Sequence, residues 1–503
     1  MTRLRFLLIA LVLVAPALVP VSGQLVPYGG AREYVQDLRE RRTAVMSALG
    51  SGTALVLSSA PKRVYSTDTD YEYRQESNML YLTGLEETDA TLVLVPGASG
   101  PREFLFIRAR DPFYELWNGS IPSPEDVTAR TGVTHVFPQR GTEAFDAFFH
   151  EFSGRDRGAG SGSQPAAAAG RASAPAAGPF RLLMLDDPAV PATEPASERQ
   201  MAWAKTFAAA RPETSLAPVS DLLERQRRVK TPYEQRVMRR AAEIAAEAHI
   251  EGMKVTRPGR WEYEVEAAIE HRFLSSGAMS WAYPSIVGSG PNATILHYTK
   301  STRQMQAGDL LLVDAGANFQ GLTADVTRTW PVTGRFSPDQ RMLYDIVLEA
   351  LDAGIASARP GGSVPEITRA VRAVIGRGLL RVGLVNDPEA ATGRSTQIDL
   401  WFPHSPVHGI GMDVHESLRM LEPGVAFTIE PGIYVRPDTL GRLAQDPGQA
   451  ELARALQPAV ERFRHMGIRI EETVLMTTGG PEILSSKVPK QVSEIEQLVG
   501  SGR

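Results

Sequence analysis

The sequence predicts a mixed α/β (α+β) protein of two domains, and three observations carry that prediction. Segments of helical periodicity alternate with short apolar, strand-like runs along nearly the whole chain. A stretch rich in Ala, Gly, Ser and Pro, residues 154–178, interrupts the first half, yet strand signals resume at once at Phe180. A strong helix start at Lys230-Thr231-Pro232, with a capping Thr followed by Pro, opens a second ordered region.

The first 23 residues read apart from the fold. Arg3 and Arg5 precede an apolar run from Phe6 to Val19, and Val21-Ser22-Gly23 offers small residues for cleavage. This is the layout of a secretory signal peptide. A membrane anchor is the rival, but the run falls short of the roughly 20 residues that span a bilayer and carries Pro16 and Pro20. The expectation is an exported protein, periplasmic or extracellular, with no stable membrane anchor after cleavage. The chain contains no cysteine, which removes disulfides, thiol nucleophiles and Cys-ligated zinc. A net charge of −5 gives no basic field for nucleic acid, so no nucleic-acid partner is expected.

The first domain is expected over residues 28–225, with the 154–178 insert inside it. Tyr34 to Leu49 reads as a helix. Thr53 to Leu57, Met79 to Leu82, Ala90 to Val95, Glu103 to Ile107 and Phe180 to Leu185 read as strands. The second domain is expected over 232–500, beginning with a helix from about Tyr233 to Met253. Around its start lies a basic run, Arg225 to Arg240, which reads either as an anion patch or as a solvated helix face paired with Glu224, Glu234 and Glu243. The solvated face is the ordinary case.

The chemistry concentrates in the second half. Leu310 to Trp330 reads as two strands joined by a short Gly/Asn loop. Folded symmetrically about Phe319 and Gln320, it sets Asp314 opposite Asp325, with Cβ atoms roughly 5 Å apart. Two carboxylates at the end of a buried strand need either a shared proton or a cation. Three of the nine histidines, His404, His408 and His415, fall within 12 residues. Glu430 closes an apolar strand before a Pro-Gly turn. In Gly467 to Val474, Arg469, Glu471 and Thr473 share one strand face. An oxygen-rich set with imidazole suits Mn²⁺ or a similar divalent ion. The zincin helix, the nucleophile elbow and a complete phosphate loop are all missing.

At these residues the sequence resembles the proline-specific metallopeptidases of the pita-bread fold, aminopeptidase P and prolidase. Tyr71 to Asn78, followed by Tyr81-Leu82-Thr83-Gly84, resembles that family's creatinase/prolidase-like N-terminal α/β domain. The ordered set Asp314, Asp325, His408, Glu430 and Glu471 resembles its metal ligands in the C-terminal pita-bread catalytic domain. The resemblance implies two divalent ions, with Mn²⁺ the expected metal, bridged by Asp325 and Glu471. It also implies that Glu430 shuttles a proton, that His297 contacts bound peptide and that His415 steadies the reacting carbonyl. His404 would line the proline pocket, Arg469 would hold a neighbouring carboxylate, and Tyr434 would lie near the metals. The implied reaction is release of the residue before a proline at a peptide's N-terminus. An Xaa-Pro dipeptidase is the alternative, suggested by an insert at about Pro437 to Arg462. A metal-free peptide-binding module on the same fold is a remoter one. Proline-containing peptides are the implied partners. Pairing into a homodimer or homotetramer would let Trp117 reach a neighbour's site.

Overall fold

The computed structural model describes residues 27–50, 52–96, 102–152, 180–185 and 195–502. Residues 1–23, expected to be a signal peptide, and the insert 154–178 lie outside them. Among the described residues no helix is long and apolar enough to cross a membrane.

The N-terminal half runs α1 (Ala31–Ala48), β1 (Thr53–Ser58), an exposed ribbon of β2 (Val64–Ser66) and β3 (Thr69–Asp70), α2 (Ser77–Thr83), β4 (Thr91–Val95) and β5 (Arg102–Arg108). It continues with α3 (Pro112–Asn118), α4 (Pro124–Thr131), β6 (His135–Gln139), α5 (Glu143–Phe152), β7 (Phe180–Met184), α6 (Pro195–Ala209), β8 (Thr214–Pro218) and α7 (Ser220–Arg228). Six strands form one sheet in the order β6-β5-β4-β1-β7-β8, with β4 antiparallel to both of its neighbours. Period-2 alternation buries both faces. Val56, Val93, Phe104 and Phe106 face Phe145, Phe149 and Met201, while Leu55, Leu57, Leu92 and Leu105 join the larger core with Val45 and Met46 of α1.

One expected strand is a helix. Met79 to Leu82 lies inside α2, because the Glu76 side chain accepts the Asn78 and Met79 N–H groups at its start and Gly84 ends it in the left-handed conformation. A four-residue apolar run, buried on most sides, carries no periodicity that separates the two cases. The local caps decide it.

The C-terminal half begins with α8 (Pro232–Val255), started by a reciprocal cap between Thr231 and Glu234 with Pro232 in the first turn. Then follow α9 (Glu262–Ser275), β9 (Ser280–Trp281), β10 (Ile286–Ser289), β11 (Leu310–Asp314), β12 (Ala317–Phe319), β13 (Leu322–Thr323), β14 (Thr327–Pro331), α10 (Pro338–Ser357) and α11 (Val364–Val382). The chain closes with β15 (Ala426–Ile429), β16 (Gly432–Tyr434), α12 (Asp438–Ala444), α13 (Ala450–Phe463), β17 (Gly467–Arg469), β18 (Glu472–Thr477), β19 (Gly480–Ile483) and α14 (Val492–Leu498). The insert noted in the sequence forms α12 and α13. Short sheets β10-β11-β14 and β15-β18-β19 lie in the layer that carries the acidic residues, and α8 to α11 supply its apolar backing.

The hairpin from Leu310 to Trp330 has a different register from the expected one. Asp314 pairs with Thr327, not Asp325, and Asn318 pairs with Thr323. The turn therefore centres on Gln320 and Gly321, with φ of 52° and 82°, the two left-handed positions of a type I′ turn. The error is two residues, so the parity of the strand is unchanged and Asp325 keeps its face.

The basic run around α7 and α8 is also not uniformly solvated. Arg239 pairs with Glu482 and Arg240 with Glu243 at the surface. Arg227 and Lys230, however, are buried against Asp413 and Glu416.

Candidate metal centre

Four acids lie at or beside strand ends, and His408 lies in the irregular segment just before the isolated bridge residue Gly409. Asp314 terminates β11 and Asp325 lies between β13 and β14. Glu430 follows β15, and Glu471 sits in the break between β17 and β18. Asp314, Asp325 and Glu471 are buried. Ligand atoms of Asp325, His408 and Glu471 lie within 4.8 Å of one another. His408 Nε2 is 3.5 Å from Asp325 Oδ2 and 3.4 Å from Glu430 Oε1. Asp314 joins them through Tyr283, whose hydroxyl lies 2.5 Å from both Asp314 Oδ1 and Asp325 Oδ1.

The proton inventory shows what this arrangement needs. His408 Nδ1 lies 3.0 Å from the Gly409 carbonyl, so it carries the proton and donates it there. Its Nε2 lone pair then faces carboxylate oxygens. Burial pushes the His408 imidazole down to about 4, with His415 adding to the effect, so that ring is neutral at physiological pH. A lone pair set among carboxylates is repelled unless a proton or a cation lies between them. The carboxylates show the same frustration. Burial, reinforced by Asp314, raises Asp325 to about 8. Burial also pushes Glu471 and Glu430 well above the usual carboxylate range, with their acidic neighbours adding to it. Among the described residues, one buried permanent cation, Arg469, acts on these acids. The donor set of carboxylate oxygens and one imidazole nitrogen therefore fits divalent metal.

Around this core a hydrogen-bonded frame fixes the donors. Arg469 donates to Asp314 Oδ2, to Thr327 Oγ1 at 3.0 Å and to the Tyr434 hydroxyl at 2.9 Å. Thr327 Oγ1 donates to Glu471 Oε2 at 2.7 Å. His404 Nδ1 lies 2.9 Å from the Ser405 carbonyl and donates to it, leaving Nε2 to accept from the Tyr434 hydroxyl at 2.9 Å. His404 Nδ1 is also 3.6 Å from Glu430 Oε2. The His415 ring packs edge-on against His408, with centroids 4.3 Å apart. His297 is exposed on the loop after the short helical turn Gly290–Thr294, and it enters the electrostatic environment of His415. A cavity of about 400 Å³ opens beside Tyr434, lined by Leu296, Leu400, Pro403, Arg442 and Leu443.

A profile of metallopeptidase family M24 matches residues 236–478, and one of the aminopeptidase P N-terminal domain matches residues 38–156. The Xaa-Pro aminopeptidase of Escherichia coli is 33% identical over 476 residues, covering 93% of this chain and 98% of that protein. The chain belongs to metallopeptidase family M24. The structure of Pseudomonas aeruginosa aminopeptidase PepP superposes with a TM-score of 0.78 at 33% identity, covering 93% of this chain and 98% of that one. A rat Xaa-Pro dipeptidase is 29% identical, covering 89% of each chain. The fold is thus an aminopeptidase P N-terminal α/β domain followed by the pita-bread domain of the M24 enzymes, as the resemblance implied.

Two participants escaped the sequence reading of this M24 chain. Tyr283 is a lone tyrosine in Trp281-Ala282-Tyr283-Pro284; the following proline holds it extended, but nothing local marks it as a partner of two acids. Thr473 was expected on one strand face with Arg469 and Glu471, without a role; the run breaks at Ile470-Glu471, so Arg469 lies in β17 and Thr473 in β18, in separate sheets. The Thr473 hydroxyl donates to the Asp325 carbonyl and its oxygen accepts the Asp325 N–H, which fixes the backbone of that acid.

Proposed function

We propose that the chain is an Xaa-Pro aminopeptidase with two divalent ions, Mn²⁺ the preferred species, acting on peptides with proline in second position. The observation that carries this reading is the His408 lone pair aimed into buried carboxylates that a single arginine leaves in excess. Asp314, Asp325, His408, Glu430 and Glu471 would hold the ions, with Asp325 and Glu471 shared between them. When bound, such ions polarise a peptide carbonyl and acidify a water.

The remaining steps belong to this chain's side chains. Glu430, as the carboxylate, accepts the proton lost by the attacking water and returns it to the departing prolyl nitrogen. His415 donates to the carbonyl oxygen as charge grows on it. His297 contacts the peptide, and His404, oriented by Tyr434, lines the proline ring. Arg469 positions Asp314, and Tyr434 is fixed between Arg469 and His404. The bond before proline lacks an N–H and carries a fixed ring. A pocket that recognises the ring, rather than an N–H, selects it.

The decisive assay compares an Xaa-Pro dipeptide with an Xaa-Pro-led pentapeptide, using metal-reconstituted protein. Release of the first residue from the pentapeptide is expected, and cleavage of the dipeptide alone overturns the aminopeptidase reading. The dipeptidase reading has one observation behind it, the α12–α13 insert, whose Arg442 and Leu443 wall the cavity beside Tyr434. Asp325→Asn should abolish turnover; near wild-type activity would refute its bridging role.

Export is part of the proposal and rests on the first 23 residues. N-terminal sequencing of protein recovered outside the cytoplasm should begin after Gly23, and an intact Met1 there refutes it. Self-association into a homodimer or homotetramer is supported by α3, which buries no residue of its own. It exposes Phe113, Leu116 and Trp117 at 73%, 78% and 74%. Sedimentation should give a multimer that Trp117→Ser weakens, and a monomeric wild type refutes it.

A further inference from the structure

The geometry of the acids leaves unexplained a second buried charge cluster, centred on Glu416, one residue beyond His415. Its side chain is 8% exposed and takes four donors. Arg227 Nη2 lies 2.6 Å from Oε1, Lys230 Nζ lies 2.7 Å from Oε2, and the Met412 and Asp413 N–H groups lie 3.0 and 3.4 Å from Oε1. The Glu416 N–H donates to the Gly409 carbonyl at 2.8 Å. These bonds close residues 409–416 into a ring, with His408 just outside one end and His415 next to the other.

The same ring is gripped from the N-terminal half. Ser77 Oγ donates to Asp413 Oδ1 at 2.7 Å, and Arg74 donates to it at 3.2 Å. Arg227 completes the bridge, with Nη2 on Asp413 Oδ2 at 2.5 Å and Nη1 on Asn78 Oδ1 at 3.0 Å. The fit is close: a Cβ on Gly411 would stand 2.5 Å from a Glu416 carboxylate oxygen and 2.6 Å from Lys230 Nζ. Among the described residues no hydrogen bond reaches the His415 ring itself. Its place is set by the backbone that Glu416 anchors and by its edge-on packing against His408.

We infer that Glu416, held by Arg227, Lys230 and the Arg74-to-Asn78 segment, is a positioning residue that aims His415, and that the N-terminal domain acts on the reaction through this clasp. The Arg74, Ser77 and Asn78 side chains, so far without a role, are its N-terminal jaw. The inference rests on the proposed peptidase function for its kinetic test and on geometry alone for its structural one. Displacing a substrate-facing group by about 1 Å lowers turnover by as much as about a hundredfold. It leaves the binding of the peptide's remaining groups largely in place.

The test is a double-mutant cycle with His415→Ala on the metal-reconstituted full chain. Glu416→Gln keeps the volume and removes the charge. It should lower kcat by about tenfold or more on an Xaa-Pro-led peptide, with KM and bound metal per chain little changed. In the His415→Ala background the same substitution should change kcat by less than about twofold. Equal losses in both backgrounds overturn the inference. Ser77→Ala, which removes one hydrogen bond, should show a smaller loss with the same background dependence, and it decides the matter if Glu416→Gln does not fold. An inactive wild type would defeat the proposed function instead. Hydrogen exchange then decides the clasp: faster exchange at Met412 and Asp413 in Ser77→Ala supports it, and unchanged protection overturns it.

Discussion

Tyr283 shows how much one hydroxyl can organise. A phenol has one proton, yet its oxygen stands 2.5 Å from carboxylates of both Asp314 and Asp325. Burial and the two acids push its ionisation well above the usual phenol range, so it stays a donor. It spaces two groups that would otherwise repel. Tyr283→Phe should therefore lower metal affinity or kcat by about 10–100-fold, the range found when partners that orient metal-binding groups are removed. A metal titration with parallel kinetics checks it, and wild-type values for both refute it. Asp314 and Glu430 were legible in the sequence because each closes an apolar run, where an unneutralised charge is anomalous; Asp325 came from the folding of a hairpin and Glu471 from strand alternation. Tyr283 was not, since an isolated tyrosine before a proline reads as an ordinary loop residue.

Two pairings between elements carry predictions. The hairpin tip depends on Gly321, whose φ of 82° strains any other residue and whose Cβ would lie 2.9 Å from Leu80 Cδ2. Gly321→Ala should destabilise the protein by about 1 kcal/mol or more, read as a lower Tm. An unchanged Tm would contradict the strain. The second pairing is between α8 and the end of β11, where buried His249 Nε2 meets the Ala315 carbonyl at 3.1 Å. Burial pushes this imidazole from 6.5 down to about 4. The unfolded chain then binds the extra proton between those values. The contribution of His249 is complete above pH 6.5 and is lost as pH falls through 6.5 toward about 4. His249→Gln should flatten the acid decline of Tm in that window, and a slope equal to wild type refutes it. At this scale the strand spans and α8 were readable, because caps and alternation are local. The register of the hairpin and the helical state of Met79 to Leu82 were not. The first was decided by a turn with two left-handed residues, the second by a glutamate cap and a glycine stop outside the apolar run.

For the molecule as a whole, the acid cluster sets a dependence of stability on metal. The repulsion among Asp314, Asp325, Glu430 and Glu471 acts only in the folded state, which brings them together. Ions bound there stabilise the fold by mass action, by about 4 kcal/mol at a thousandfold excess over Kd. Chelation should therefore lower Tm, and readdition of Mn²⁺ should restore it; a Tm indifferent to chelator would count against a metal site. What no linear reading could supply at this scale is the meeting of distant segments. Arg227 and Lys230 looked like part of a wet basic face because Asp413 and Glu416, their partners, lie some way down the chain.

The seat of the hairpin tip limits how this enzyme can be cut down. Gln320 Oε1 accepts the Tyr28 N–H and the Tyr233 hydroxyl, both at 3.0 Å, while Gly321 is pressed between Leu80 and Met412. Anyone trimming the gene to its second half for a smaller catalyst would remove Tyr28 and Leu80. The reactive acids would then hang from a lever whose fulcrum had been discarded. Miniaturisation has to begin elsewhere.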